Sequence, residues 1–474
     1  MPDRMYRFRS VDNLLGTNGR KGELAGSYIY FAAPESLNDP LEGYYETFWA
    51  GDVILWENLL KHYITSLAFN YIRQINGIGD TEKTELRINT IDLGEVWKPL
   101  LEKLREEFTS NEIVQNHIRC LSQRQRKVKR PELQCHLQIL NSLALSLLHS
   151  NIHTAVYYNA FESMVDYQAL QQVSGQFLAV LKPFAEAEED ELQLSLQQTL
   201  EAILSTRFLQ TKFSIINYTA NASHTDSLTA FVSSFPSSYC ANISKLNYPD
   251  WHVACFMSKA TDSSIWGTYG DSHSAVCLIF NTDGEEGNRS LKLKLPAGWG
   301  REGIFYEWGK LHFSKVSYER DFVEIDFFNS LGVFSSPALH KDWFSDAAGY
   351  TSPRYEEMMA NIEEWRNGYH ENRLQTITMK TQDWMRENEY RLSIGEAPTA
   401  KDRMIEYDFN SLHGIIFGMR TSDQDKIRLI REVRRICESI KRDDFHFYEA
   451  HYSPVDRGLT IDLIGQLHQN VPLA

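Results

Sequence analysis

The chain of 474 residues is longer than one hydrophobic core usually supports, so we expect two domains or one domain with a large insertion. A net charge of −15 argues against broad nonspecific binding to nucleic acid, which depends on a basic face. The six cysteines include no Cys-x-x-Cys pair, which argues against a zinc ribbon or a disulfide scaffold and favours a reducing cytoplasm. With no secretory signal and no apolar run of about 20 residues, the sequence predicts a cytoplasmic protein without a membrane partner.

The first part of the chain predicts two strands around a short helix. Residues 5–8 and 27–32 are rich in strand-forming side chains, and Asp12 stands where a helix N-cap is expected. Residues 34–40 follow as a loop, because Pro, Asn and Asp are common in turns. Between residues 53 and 213, Leu, Gln and Glu dominate and apolar side chains recur at helical spacing, which predicts a block of several helices.

Strand-forming segments return after residue 227, and an amphipathic helix is expected at residues 422–440. The strand-rich parts flank the helical block, as expected of one mixed α+β domain with an insertion. We predict an α+β core at residues 1–50 and 225–455, a helical insertion at 51–215 and a C-terminal tail at 456–474.

Two carboxylates stand two residues apart in the segment that leads into a late strand. Residues i and i+2 of a strand share a face, so Glu387 and Glu389 are expected to point the same way, opposite Tyr390 and Leu392. Paired carboxylates raise each other's pKa and can divide acid, base and charge-stabilising roles. The alternative is a solvated strand face on which both glutamates pair with charges such as that of Arg391.

Four short segments, taken in their order, resemble a bacterial family, the domain of unknown function 2971. The resemblance covers roughly residues 4–48 and 250–450 and leaves out the helical block. The segments are Tyr6-Arg7-Phe8-Arg9-Ser10 with Asn13-Leu14-Leu15; Tyr30-Phe31-Ala32-Ala33-Pro34 with Asn38-Asp39-Pro40-Leu41-Glu42; Ala254-Cys255-Phe256 with Trp266-Gly267-Thr268-Tyr269 and residues 273–280; and Lys380, Trp384, Glu387, Glu389, Tyr390 and Arg391.

The layout of these segments also resembles that of ADP-ribosyltransferases. The resemblance implies a mainly antiparallel sheet core that binds nicotinamide dinucleotide (NAD) as a substrate, without a metal. By position, the resemblance implies that Arg7 on the first strand binds the pyrophosphate or a ribose hydroxyl. It implies that the ring of Tyr30 on the second strand stacks on nicotinamide. The resemblance also implies that the carboxylate of Glu389 stabilises the oxocarbenium-like transition state and that Glu387 orients or activates the acceptor.

Two further segments are candidates for the wall of a nucleotide pocket. Asn38 and Asp39 either line a cleft or form a turn whose side chains cap backbone groups. Trp266, Tyr269 and His273 form either an aromatic and polar rim around the cofactor or ordinary core and loop packing.

Three functions remain open from the sequence. The first is an NAD-dependent ADP-ribosyltransferase or NAD glycohydrolase, acting as a bacterial toxin or antiphage defence effector, with a protein or nucleic-acid acceptor and a protein partner on the helical insertion. The second is a metal-dependent nuclease that uses Asp39, Glu42, Lys380, Glu387 and Glu389. The third is a non-catalytic interaction protein in which these charges are structural.

Overall fold

The structure is a computed structural model that describes residues 3–17, 19, 21–75, 97–153, 166–186, 198, 202, 227–300, 303–319, 321–395, 397 and 399–467. The chain forms two compact units, each with its own hydrophobic core. Unit one comprises Met1–Tyr44, Asp250–Phe322 and Arg373–Ala474, and unit two comprises Tyr45–Pro249 and Val323–Asn372.

The described part of the chain contains both helices and strands throughout. The helices are α1 (Val11–Leu15), α2 (Glu23–Gly26), α3 (Val53–Ile75), α4 (Lys98–Thr109), α5 (Glu112–Ser122), α6 (Arg130–His153), α7 (Tyr167–Glu186), α8 (Ser227–Asn242), α9 (Ser263–Thr268), α10 (Ser336–Asp342), α11 (Pro353–Ala360), α12 (Ile362–Ile377) and α13 (Asp423–Ile440). The strands are β1 (Arg4–Arg9), β2 (Tyr28–Tyr30), β3 (Glu46–Trp49), β4 (Val128–Lys129), β5 (His252–Met257), β6 (Val276–Asn281), β7 (Ser290–Gly300), β8 (Gly303–His312), β9 (Ser314–Lys315), β10 (Glu324–Asp326), β11 (Glu389–Ile394), β12 (Met404–Glu406), β13 (Leu412–Phe417), β14 (His446–Ser453) and β15 (Gly458–Gln466).

Unit one is built on an eight-stranded sheet in the order β15-β14-β13-β6-β1-β5-β11-β9. Only β13 and β14 run parallel, and every other pair of neighbours in this sheet is antiparallel. Two small ladders, β2 with β12 and β7 with β8, complete the strands of the unit. The prediction of a mixed α+β protein with mainly antiparallel pairing is therefore confirmed.

The central strand β1 shows why this sheet forms. Its side chains alternate, so Met5 and Arg7 are buried on one face while Tyr6 and Phe8 lie on the other. The Met5 face is covered by α13, whose buried Leu429 belongs to the same hydrophobic cluster. The side chain of Ser422 caps α13 by accepting a hydrogen bond from a backbone N–H in the first turn, which satisfies one of the unpaired helix donors.

The strands β1 and β5 pair at one position and then separate. Their register contains the single pair Tyr6 and Met257, whereas β1 pairs with β6 along its whole length. Beyond that point Ala32 takes the place of β1 and exchanges two backbone hydrogen bonds with Val253, at 2.7 and 2.9 Å. Among the described residues, the facing edges of β1 and β5 do not pair beyond this point, and a cavity lined by residues of both strands lies there.

Unit two is mainly helical, and its boundaries differ from the predicted ones. Residues 45–50, 225–249 and 323–372, which we predicted to be part of the core, belong to unit two. The physical reason is that β3 pairs in parallel with β10, and Trp49 at the end of β3 packs against Phe327 in the helical core. Among the described residues, no helix combines the length and apolar character needed to cross a bilayer.

The prediction of a polar tail at residues 456–474 needs correction up to residue 467, and residues 468–474 lie outside the described part of the chain. Residues 458–466 form β15, an edge strand that pairs with β14. Leu459 and Ile461 alternate toward the sheet and pack on a small core cluster around Ile416. Alternation over so few apolar residues is a weak sequence signal for a strand. The segment forms a strand because β14 supplies the neighbouring strand with which it pairs.

Candidate active site

Glu387 and Glu389 lie together, but not because they share a strand. Glu387 is the last residue of a 3-10 helix at Gln382–Glu387, and β11 begins only at Glu389. Asn388 joins the two in the left-handed conformation, at φ 42° and ψ 52°, which Asn tolerates better than most residues. This turn, rather than the two-residue period of a strand, brings the carboxylates to one place and corrects the predicted geometry.

Five charged side chains of unit one form a cluster around these carboxylates, here called the carboxylate cluster. The Nζ of Lys380 lies 2.8 Å from Glu387, 3.3 Å from Glu42 and 3.4 Å from Glu389. Arg391 binds Glu389 through Nε at 2.9 Å and Glu42 through both terminal nitrogens at 2.8 Å. Three carboxylates thus share two cations.

The carboxylate cluster is buried, which corrects the alternative of a solvated strand face. Glu387 is 5% exposed, and Glu389 and Arg391 are each 1% exposed. Glu389 and Arg391 stand two residues apart on β11 and so share a face, while Tyr390 and Leu392 pack into the core on the other. Buried charges persist only when they are paired and hydrogen-bonded, as these are.

The two glutamates have different protonation properties. Burial raises the pKa of Glu387, and the negative charge of Glu389 adds to the rise, although Lys380 opposes it. Burial also acts to raise the pKa of Glu389, but Arg391 and Lys380 outweigh it and hold that pKa at about 2. Of the two carboxyl groups, Glu387 is therefore the one that takes up a proton first as the pH falls.

Neutral side chains complete the surroundings of the carboxylate cluster. The hydroxyl of Tyr269 donates a hydrogen bond to Glu387, and the hydroxyl of Tyr318 accepts the backbone N–H of Glu389 at 2.9 Å. Burial raises the pKa of both phenols, so each remains a neutral hydroxyl. The ammonium of Lys380 also lies 4.6 Å from the ring centre of Trp384, close enough for a cation–π contact.

A cavity of about 240 Å³, here called the carboxylate cavity, opens beside this cluster where β1 and β5 separate. It contains five residues that the sequence predicts to be in the site: Arg7, Asn38, Tyr269, Glu387 and Glu389. The cavity thereby brings together residues from the first strand, the loop after the second strand, the C-terminal end of α9, and the 3-10 helix and strand at the start of β11.

Arg7 reaches into the gap between the separated strands. Its guanidinium donates to the carbonyl oxygen of Cys255 at 3.1 Å and to that of Tyr30 at 2.9 Å. Its Nε has no hydrogen-bond partner among the described residues, and no carboxylate there forms an ion pair with it. Burial lowers the pKa of Arg7 to about 10, and the nearby charge of Arg9 contributes to the shift.

Tyr30 lies elsewhere than its predicted role requires. Tyr30 lines a larger depression together with Met404 and Glu406 of β12, and it is not among the residues around the carboxylate cavity. Only its backbone carbonyl contributes near the cavity, through the hydrogen bond from Arg7.

The predicted role of Trp266 in the rim of a cofactor pocket needs correction, because its side chain is fully buried and cannot contact a cofactor. Its indole Nε1 donates to the carbonyl oxygen of Ala260 at 2.7 Å, and its ring packs edge-on against Phe8 at 4.9 Å. His273 stacks on the same indole and does not line the cavity.

Asp39 forms a turn, as the alternative for its segment expected. It is 3% exposed, and its carboxylate accepts a hydrogen bond from the backbone N–H of Leu41 at 2.9 Å. Asp39 also lies outside the lining of the carboxylate cavity.

Three members of the carboxylate cluster were absent from the predicted catalytic set. Lys380 and Glu42 belong to the segments that carry the family resemblance but had a role only in the nuclease alternative, and Arg391 had a role only as a paired charge on a solvated strand face. The two-residue spacing of Glu389 and Arg391 was a usable signal, since a shared strand face brings opposite charges together. The contact between Glu42 and Arg391 joins residues 349 positions apart, and no local pattern predicts it.

Comparisons with known proteins identify no relative. No protein-family model, no curated protein and no solved structure matches this chain. Within the described residues, no group of three or more His, Cys, Asp or Glu side chains is arranged to hold a metal ion.

Proposed function

We propose that unit one cleaves the bond between nicotinamide and ribose in NAD and passes the ADP-ribosyl group to water or to an acceptor hydroxyl. The observation that carries the proposal is the pair Glu387 and Glu389, two buried carboxyls with opposite pKa shifts beside one cavity. Pairs of carboxyls whose environments separate their pKa values support divided acid–base and electrostatic roles.

Glu389 suits the electrostatic role. When the bond breaks, its electron pair leaves with nicotinamide and positive charge develops on the ribose. A carboxylate with a pKa of about 2 remains ionised at neutral pH and stabilises that charge. Arg391 and Lys380 occupy both of its oxygens, at 2.9 to 3.4 Å, so they fix its position and disfavour its use as a nucleophile.

Glu387 suits the proton-transfer role. The acceptor must lose one proton as its oxygen bonds to the ribose, and a carboxylate with a raised pKa binds that proton more readily. One oxygen of Glu387 accepts from Lys380 at 2.8 Å, and the other accepts from Tyr269, which also lines the cavity. Both donors favour the charged form, so Glu387 can act as the base.

Arg7 suits a polar or anionic part of the substrate. Its guanidinium is buried, lines the carboxylate cavity and forms no ion pair with a carboxylate of the described residues. A phosphate oxygen would supply the missing negative charge and would accept from the free Nε.

The two alternatives have less support. A metal-dependent nuclease needs a divalent cation among the carboxylates, and the ammonium of Lys380 already lies between Glu42, Glu387 and Glu389. A purely structural cluster would explain the ion pairs but not the cavity beside Glu387. A toxin or antiphage role depends on the proposed activity and stays a prediction.

The test is incubation of the purified protein with NAD, with and without cell lysate, followed by mass spectrometry of nicotinamide and of ADP-ribose adducts. Glu389→Gln should lower nicotinamide release by about 100-fold or more, as expected for loss of a preorganised charge. The matched control is Glu432→Gln, which removes the charge of a partly exposed carboxylate that pairs with the exposed Arg435 in the same unit. No release by the folded wild-type protein in either condition, or equal release by Glu389→Gln, would refute the proposal.

A further inference from the structure

A second and larger depression of about 1060 Å³ lies in unit one, here called the tyrosine groove. The ladder of β2 and β12 contributes Tyr28 and Tyr30 from one strand and Met404 from the other, with Met404 directly opposite Tyr30. The hairpin of β7 and β8 adds Tyr306 and Ile304. Five aromatic and apolar side chains therefore line this part of the groove, beside the ion pair of Lys294 with Glu406, and they offer a surface on which a flat ring can pack.

The tyrosine groove and the carboxylate cavity adjoin each other. Arg9, Ala32 and Ser36 line both. The cavity of about 240 Å³ is smaller than the pockets of about 300–1,000 Å³ that hold drug-sized ligands, and a dinucleotide is at least that large. A dinucleotide with its nicotinamide end beside Glu389 must therefore extend into a neighbouring space, and the groove adjoins the cavity at three residues.

The junction between the two spaces carries positive charge. Arg7 and Arg9 stand two residues apart on β1, so they share a face of the strand, and both line the carboxylate cavity. Arg9 holds the buried Glu23 through two hydrogen bonds, one of them 2.9 Å long. Two cations with one carboxylate leave a net positive charge where a pyrophosphate would lie. Beyond the junction, the groove is lined by three lysines and three carboxylates, so the positive charge is confined to the junction: Lys21, Lys294, Lys401, Asp12, Asp402 and Glu406.

On the basis of the proposed function, we propose that the tyrosine groove binds the adenosine diphosphate half of the dinucleotide. The adenine stacks on Tyr30, and the pyrophosphate lies at the junction beside Arg9 and Arg7. Tyr30 therefore recognises the base at the far end of the substrate, rather than the nicotinamide ring.

The test uses ADP as the probe and isothermal titration calorimetry of the full-length protein. Base stacking on an aromatic ring is worth about 5- to 150-fold in affinity, so Tyr30→Ala should weaken ADP binding by at least about fivefold. Tyr30→Phe keeps the ring and should bind within about twofold of the wild type. Tyr452→Ala, at a tyrosine that is 54% exposed in the same unit, is the matched control and should leave binding unchanged.

A kinetic arm separates this proposal from the proposed function. Tyr30→Ala should raise the KM for NAD and leave the KM for nicotinamide mononucleotide, which lacks the adenosine, unchanged. ADP binding that depends on Tyr30 supports the groove assignment even if the protein releases no nicotinamide. Absence of ADP binding, equal binding by Tyr30→Ala, or an equal effect of that variant on both substrates would overturn it.

Discussion

Replacement of Lys380 by Met tests whether the carboxylate cluster is held together by one ammonium group. The ammonium lies within 3.4 Å of Glu42, Glu387 and Glu389, and Lys380 is 6% exposed. Removal of one partner from a buried ion pair costs about 3–5 kcal/mol, because the remaining charge is left uncompensated. Arg391 still pairs with two of the carboxylates, so Glu387 loses the most.

The loss should depend on pH in a definite direction. Burial already raises the pKa of Glu387, and the loss of Lys380 removes a cation that opposes the rise. A carboxyl with a raised folded-state pKa binds more protons in the folded than in the unfolded state at pH values between its two pKa values. The stability of the variant therefore increases as the pH falls from the folded-state pKa to the unfolded-state pKa. The difference from the wild type should therefore be larger at pH 8 than at pH 5.

Amide hydrogen exchange measured by mass spectrometry reports this loss locally, which suits a chain with two units. A loss of 3–5 kcal/mol corresponds to exchange that is about 100- to 5,000-fold faster in peptides covering β11. Peptides covering β3 in unit two should change little. Lys426→Met is the matched control, because Lys426 pairs with the partly exposed Glu449 at 2.7 Å, a kind of pair worth about 0–1 kcal/mol. A change at β11 below about fivefold, or one equal at the two pH values, would refute the reasoning.

Two further predictions concern a phenol and two buried histidines. Tyr269→Phe removes a donor that lowers the pKa of Glu387, so the acid limb of the pH profile of nicotinamide release should move to higher pH, while Tyr452→Phe leaves it in place. An unmoved limb would show that Tyr269 does not control Glu387. In unit two, burial lowers the pKa of His62 to about 3 and that of His117 to about 2, from 6.5. The unfolded chain protonates both below pH 6.5, so unit two should lose about 2 kcal/mol per histidine between pH 6.5 and pH 5. Exchange at α3 and α5 measures this loss, and protection that stays constant over the interval would contradict it.

Local patterns predicted the elements around the site because their causes are local. Strand-forming side chains predicted β1 and β5, and helical spacing predicted α13, which Ser422 caps. The carboxylates Glu387 and Glu389 were recognised from their spacing, although the left-handed turn at Asn388 between them was not. Such a turn depends on one residue's backbone angles, and Asn permits it without requiring it.

Long-range contacts account for the errors. The burial of Trp266 depends on its packing against Phe8, which is distant in sequence, and the same residue types in the same order would also suit an exposed rim. The placement of Tyr30 in the groove depends on the partner strand β12, more than 370 residues later. Local spacing in the sequence predicts neither of these contacts.

The sequence by itself determined the α+β class, the amphipathic helix and the presence of two carboxylates beside a late strand, because hydrophobic period and capping act within a few residues. Only the tertiary structure decided that these carboxylates are buried, that they share Lys380 and Arg391 with Glu42, and that β1 and β5 separate to leave a cavity beside them. The physical reason is that burial and charge pairing depend on which distant segments meet, and those contacts set the pKa directions on which the proposed chemistry rests.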